Sequence, residues 1–236
     1  MILYGRASFD SRQRLQGIVD RLRAGAPSRQ VACAFADLSG PSLPEVLGRL
    51  ADSGIAEAVV VPCMIPTDPS IATWLPGALS AWRSERSTAP RVTIAAAVEC
   101  FVDLADLAAR SLESADAADV GGAAPSMGKP GWSEIPRHGR QIFFCTGARC
   151  LHRGAEPLYQ RLRDLMRREH GLVRGPRRVL CARSSCQFPC NLGPVMTVHP
   201  DGVWYGRLDP QALDRIVAEH LIGDEIVQDF CIRDLD

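Results

Sequence analysis

Residues 186–206 read CQFPCNLGPVMTVHPDGVWYG. The runs Val195–His199 and Val203–Gly206 are apolar, β-branched and aromatic, and Pro200-Asp201-Gly202 between them is a strong turn signal, so the stretch predicts a β-hairpin. Upstream, Gln141–Cys145 and Arg178–Cys181 give two more strand signals. Between them Glu156–His170 has the apolar spacing of an amphipathic helix, with Leu158, Leu162 and Leu165 on one side. Downstream, Pro210–Ile222 reads as a helix, with a proline near its start and Gly223 after its end. The hairpin begins just after two cysteines, and that placement gives the stretch its chemical meaning.

The chain has nine cysteines. Cys33, Cys63 and Cys100 are scattered through the first half, five fall between positions 145 and 190, and Cys231 stands near the end. An odd number with local clustering points to a metal or redox site rather than a disulfide framework. Cys145 and Cys150 have C-x4-C spacing, and Cys186 and Cys190 have C-x3-C spacing. Each pair lies in a loop after a predicted strand. If those strands are parallel neighbours, both loops reach one sheet edge, where four thiolates can hold an iron–sulfur cluster. Small residues (Gly147, Ala148, Ser184 and Ser185) let backbone N–H groups approach the sulfurs. Zinc is the rival reading, although structural zinc sites favour C-x2-C knuckles. Plain buried thiols are the third. Cys181, in Val179-Leu180-Cys181, reads as a core strand residue, and Cys231 as incidental. His152 follows Cys150 closely enough to reach the same site. His199 and His220 read as strand and helix residues without a special role.

The segment Cys186 to Pro194, the string Pro200 to Gly206 and the trailing helix Ile216 to Leu221 resemble the thioredoxin-like [2Fe-2S] ferredoxins over about residues 137–228. The resemblance implies a thioredoxin-like fold, a [2Fe-2S] cofactor, and Cys145, Cys150, Cys186 and Cys190 as its ligands. It also implies electron exchange with a redox partner protein. The first pair is spaced more closely than in several members of that family, which keeps a [4Fe-4S] cluster as the alternative.

The first 115 residues alternate strand and helix signals: Met1–Gly5, Ser11–Ala24, Val31–Phe35, Ser42–Ser53, Ala58–Met64, Ile71–Trp82, Val92–Ala97 and Val102–Leu112. Successive βα units imply a parallel sheet covered by helices, with ligands expected at the carboxyl ends of the strands. The fold class is therefore α/β: a parallel βα domain over 1–115, a linker over 116–139 rich in Ala, Gly, Pro and Ser, and a second domain over 140–236. Trp132 and Ile135, in the linker, are expected to dock on one of the domains.

Leu3-Tyr4-Gly5-Arg6-Ala7-Ser8, Ala34-Phe35-Ala36-Asp37 with Pro41 to Glu45, and Val59-Val60-Val61-Pro62 resemble the small class II chelatases. Those enzymes insert cobalt or iron into sirohydrochlorin, and their metal ligand and proton acceptor are histidines. Here Arg6 stands at the first expected histidine and Ser70 near the second. All five histidines (138, 152, 170, 199 and 220) lie beyond residue 137. An arginine neither binds a cation nor accepts a proton near neutral pH. Arg6, Ser8 and Ser70 are candidate tetrapyrrole contacts, with Arg6 suited either to a carboxylate of the ligand or to a local salt bridge. Asp10, Asp37 and Asp68 are candidates for an acidic pocket, with Asp10 alternatively a helix cap. Cys63 is either a soft metal ligand or packing.

The sequence thus points to an electron carrier with a degenerate chelatase-like domain, linked to a tetrapyrrole or to an enzyme of that pathway. A working cobalto- or ferrochelatase with a regulatory cluster is the alternative. The net charge of zero gives no electrostatic case for nucleic acid. No apolar run approaches the ~20 residues that span a bilayer, and the N-terminus does not read as a signal peptide, so a cytoplasmic location is expected. Both family resemblances imply pairing into a homodimer.

Overall fold

The computed structural model describes residues 1–7, 11–67, 69–113 and 133–232, and of Ser11, Arg12 and Ser70 the backbone alone. Ser8, Asp10, Asp68, Trp132 and most of the expected linker lie outside the described residues.

In the first half, β1 (Ile2–Gly5), α1 (Ser11–Gly25), β2 (Ala32–Phe35), α2 (Leu43–Asp52), β3 (Glu57–Pro62), α3 (Pro69–Ser84), β4 (Arg91–Ile94) and α4 (Leu104–Leu112) follow in order. The strands form one sheet in the order β2-β1-β3-β4, and every pairing is parallel. The sequence signals set these boundaries. Ser42 caps α2 in a capping box: its side chain accepts from the Glu45 N–H at 3.4 Å, and the Glu45 carboxylate accepts from the Ser42 N–H at 2.6 Å. Leu43, Val46 and Leu47 then face the sheet and are buried. Asp103 caps α4 by accepting from the N–H groups of Ala105 and Asp106. The expected strand Val92–Ala97 is shorter, because the chain turns into a 3-10 segment at Val98–Phe101.

The second half contains β5 (Arg140–Cys145), α5 (Ala148–His152), α6 (Ala155–Arg168), α7 (His170–Val173), β6 (Val179–Ser184), β7 (Met196–His199), β8 (Val203–Tyr205) and α8 (Pro210–Arg215). The sheet order is β6-β5-β7-β8. β5 pairs parallel with β6, whereas β5–β7 and β7–β8 are antiparallel. Leu158, Leu162 and Met166 recur every four residues along α6 and bury that face against Ile142, Phe144 and the C-terminal helix. The single helix expected over Pro210–Ile222 is α-helical to Arg215 and widens into a π-helical stretch over Ile216–Ile222.

Two expectations change here. Ile135 is 84% exposed and docks on neither half. His220 is not an idle helix residue: it is fully buried, and its Nδ1 lies 2.8 Å from the Tyr205 hydroxyl, which also accepts from the Val227 N–H at 3.2 Å. Burial holds the His220 imidazole below its usual range, while Asp201, 3.5 Å from Nε2, works against that shift.

The halves meet at the carboxyl end of the first sheet. The Leu38 N–H donates to the Thr146 carbonyl at 3.0 Å, and the Arg183 guanidinium donates to the Leu38 carbonyl. Arg183 also makes a two-pronged ion pair with Glu156, at 2.6 and 2.8 Å, and stacks over the Tyr159 ring. Both charged side chains of that pair are mostly covered.

Arg183→Ala takes the cation away from the Glu156 carboxylate, which keeps only the Gln160 amide at 2.8 Å, and removes the donor to the Leu38 carbonyl at this seam. It should lower stability by somewhat less than the ~3–5 kcal/mol of a fully buried pair, and limited proteolysis should open the seam before the second domain unfolds. Tyr205→Phe removes the partner of both His220 and the Val227 N–H and should cost about 1–3 kcal/mol in denaturant titration. Because the folded state holds His220 below its free value of about 6.5, this site contributes fully above that pH, and its contribution falls as the pH is lowered through it. A stability–pH series on wild type and His220→Gln should show that acid slope in the wild type alone.

Candidate metal centre at the domain seam

Parallel pairing of β5 with β6 places Cys145 opposite Ser184, so the chain leaves both strands at the same edge. Thr146 extends the pairing by one step: its N–H donates to the Ser184 carbonyl at 3.0 Å, and its hydroxyl donates to the same oxygen at 3.1 Å. Cys186 follows two residues after the end of β6. Cys145 is the last residue of β5 rather than part of a loop, and Cys150 sits on the short helix α5. Cys145, Cys150 and Cys190 are buried, and Cys186 is exposed.

The thiols form two close pairs. Cys186 Sγ lies 3.2 Å from Cys190 Sγ. The Cys150 thiol donates to the Cys145 sulfur, and that bond, with the backbone N–H groups of Gly147 and Gln187, pulls the Cys145 thiol down to about 6 against its burial. The same bond, together with burial, pushes the Cys150 thiol up. Burial, and then the neighbouring Cys190, push the Cys186 thiol up as well. Among the described residues no three His, Cys, Asp or Glu side chains converge as a single metal ion requires. Two pairs suit a two-iron centre, which needs its thiolates distributed over two metals rather than gathered about one.

Two glycines permit this approach. A Cβ on Gly193 would stand 2.8 Å from Cys150 Sγ, and one on Gly147 would stand 2.9 Å from the Cys186 nitrogen. The backbone therefore comes within hydrogen-bonding range of the sulfurs at points where any other residue would push it away. Gln187, between Cys186 and Cys190, donates from Nε2 to the Phe143 carbonyl at 2.9 Å and to the Ser184 hydroxyl. It ties that loop down to β5.

The first half closes the site. The cavity around the four thiols, about 210 Å3, is also lined by Arg6, Asp37, Ile71 and Trp74. Arg6 donates to the Asp37 carboxylate at 2.6 Å, so of its two candidate roles the structure displays the salt bridge. Of the proposed acidic pocket, only Asp37 is described, and it is paired. The side chains of Ser8 and Ser70, the other candidate tetrapyrrole contacts, lie outside the description. Cys63 packs against the small core cluster of Leu3, Leu15, Val19, Val31 and Phe35, and burial pushes its thiol up. Cys181 lies in β6 against the core of the second half, its thiol raised to about 11 by burial. His152 turns away from the thiols: its ring bonds the Ala78 carbonyl and meets Trp74 edge-on at 6.0 Å.

Sequence reasoning missed Arg149, Trp74 and Gln187. Arg149 Nη1 lies 3.9 Å from Cys190 Sγ, and its guanidinium sits 5.9 Å above the Trp74 ring. Gln187 was legible as the residue after a candidate ligand, Cys186. Arg149 and Trp74 meet across a seam between residues far apart in the chain, which no local pattern encodes.

Residues 1–113 match the CbiX family, and residues 132–221 match the thioredoxin-like [2Fe-2S] ferredoxin family. The chain is 31% identical over 97 residues to a protein named "Ferredoxin, 2Fe-2S" from Aquifex aeolicus (strain VF5), covering 38% of this chain and 85% of that one. It is 34% identical over 50 residues to a protein of the same name from Clostridium pasteurianum, covering 21% of this chain and 49% of that one. Among solved structures, the thioredoxin-like [2Fe-2S] ferredoxin of Aquifex aeolicus aligns at 30% identity and a TM-score of 0.37, over 40% of this chain and 97% of that one. A CbiX protein from Marinobacter aquaeolei VT8 aligns at 20% identity and a TM-score of 0.36, over 48% of this chain and 95% of that one. Through its second half this chain belongs to the thioredoxin-like [2Fe-2S] ferredoxin family, joined to an N-terminal CbiX-type domain.

Proposed function

We propose that this protein is an electron carrier whose second domain holds a [2Fe-2S] cluster on Cys145, Cys150, Cys186 and Cys190. The observation that carries the reading is the convergence of two close thiol pairs on one sheet edge, within a backbone cradle that Gly147 and Gly193 keep open. Bound there, a [2Fe-2S] cluster takes up one electron and releases it again to a redox partner protein. The residues of the chain do the rest. The low Cys145 thiol supplies a thiolate near neutral pH, as cluster assembly requires. The N–H groups of Gly147, Gln187, Phe188 and Val195 point at the sulfurs and favour added negative charge. The first domain covers one side of the cavity and limits access of water.

The first domain, on this reading, has lost metal insertion and serves binding in tetrapyrrole metabolism. Metallation needs a base for the pyrrole protons and a labile ligand for the ion. Residues 1–137 contain no histidine, and Arg6 is held by Asp37.

Anaerobic purification should yield a coloured protein with iron and sulfide in the proportion of a [2Fe-2S] cluster and an EPR signal on reduction. A colourless protein with stoichiometric zinc would overturn the proposal. Serine at 145, 150, 186 or 190 should each reduce iron content, and Cys181→Ser should leave it intact. Gly193→Ala should also lose cluster, since its Cβ enters the space of Cys150 Sγ. Sirohydrochlorin with Co2+ or Fe2+ should bind without turnover above the uncatalysed rate, and more weakly to Arg6→Ala. Observed turnover would sink the degenerate-chelatase part of the reading.

A further inference from the structure

The seam brings one cation onto a sulfur of the centre. Arg149 Nη1 lies 3.9 Å from Cys190 Sγ. Arg6 lines the same cavity, but Asp37 neutralises it. Among the described residues no carboxylate pairs with Arg149, so its charge is available to the thiolate. The guanidinium is held from the other side by the first domain, whose Trp74 ring lies 5.9 Å beneath it. The indole is itself fixed by the edge-on His152 ring, which is anchored to the Ala78 carbonyl. A planar cation between an aromatic face and a sulfur is the kind of contact that arginine makes and lysine copies poorly.

From this we infer that Arg149 sets the reduction potential of the cluster, and that Trp74 of the first domain is the positioning residue that holds it in place. The inference rests on the reading that the four cysteines hold a cluster. Reduction adds one negative charge, shared with the ligand sulfurs. A guanidinium at 3.9 Å favours that state by charge attraction and by hydrogen bonding, two levers through which a protein tunes an iron–sulfur potential. Arg149 as a whole is exposed, so the effect is screened and should weaken as salt rises. The first domain thereby acts on the electron carrier through one side chain, without supplying a ligand.

The test is a redox titration of the full chain, followed by absorbance and EPR. Arg149→Gln should lower the midpoint potential, with up to about a tenfold loss of electron affinity, equivalent to about 59 mV for a one-electron couple. Trp74→Ala should move the potential the same way by less. Arg149→Lys should fall between Gln and wild type. If Trp74 acts through Arg149, Trp74→Ala should add little in the Arg149→Gln background. A fully loaded Arg149→Gln protein with the wild-type potential would overturn the inference while leaving the electron-carrier reading intact. So would a Trp74→Ala shift that persists at full size without Arg149. A wild-type chain that holds no iron would overturn both.

Discussion

The parallel pairing of β5 with β6 is the constraint on which the rest of the molecule depends. It sends two chain segments out of the sheet at the same edge, with Cys145 opposite Ser184 and Cys186 two residues further on. An antiparallel pairing would carry the two cysteine pairs to opposite ends of the sheet. Parallel strands need a long crossover, and α6 supplies it, with Leu158, Leu162 and Met166 fixing the helix to the sheet. The site is therefore held by the main hydrophobic core of the second domain rather than by its own loops.

Close approach is the second requirement. Backbone can lie against the thiol-bearing segments only where side chains leave room, and Gly193 gives that room beside Cys150 Sγ and Gly147 beside the Cys186 backbone. Gln187 then replaces loop freedom with hydrogen bonds to β5. A loop fixed in this way is held in shape by the polypeptide itself.

The first domain adds a wall. Its strand-end edge, where a βα sheet ordinarily presents its ligand site, faces the thiols of the second domain across one cavity. Arg183 holds that arrangement by bonding Glu156 of its own domain and the Leu38 carbonyl of the other. The thiols of the second domain and the strand-end edge of the first thus share one seam.

The sequence alone determined the α/β class and the hairpin at Pro200-Asp201-Gly202, and it singled out two closely spaced cysteine pairs, because these are local signals: spacing, turn chemistry and periodicity. It also determined what the first domain lacks, since the absence of histidine before residue 138 is a matter of composition. It left Arg6 with two roles, and the Asp37 carboxylate, 31 positions away in the chain, displayed one of them. It read His220 as incidental, because burial beside Tyr205 follows from the packing of a helix on a distant strand. The wall formed by the first domain and the Arg149–Trp74 contact were decided by tertiary structure alone. Each depends on distances between residues that the chain separates widely, and no local pattern carries that information.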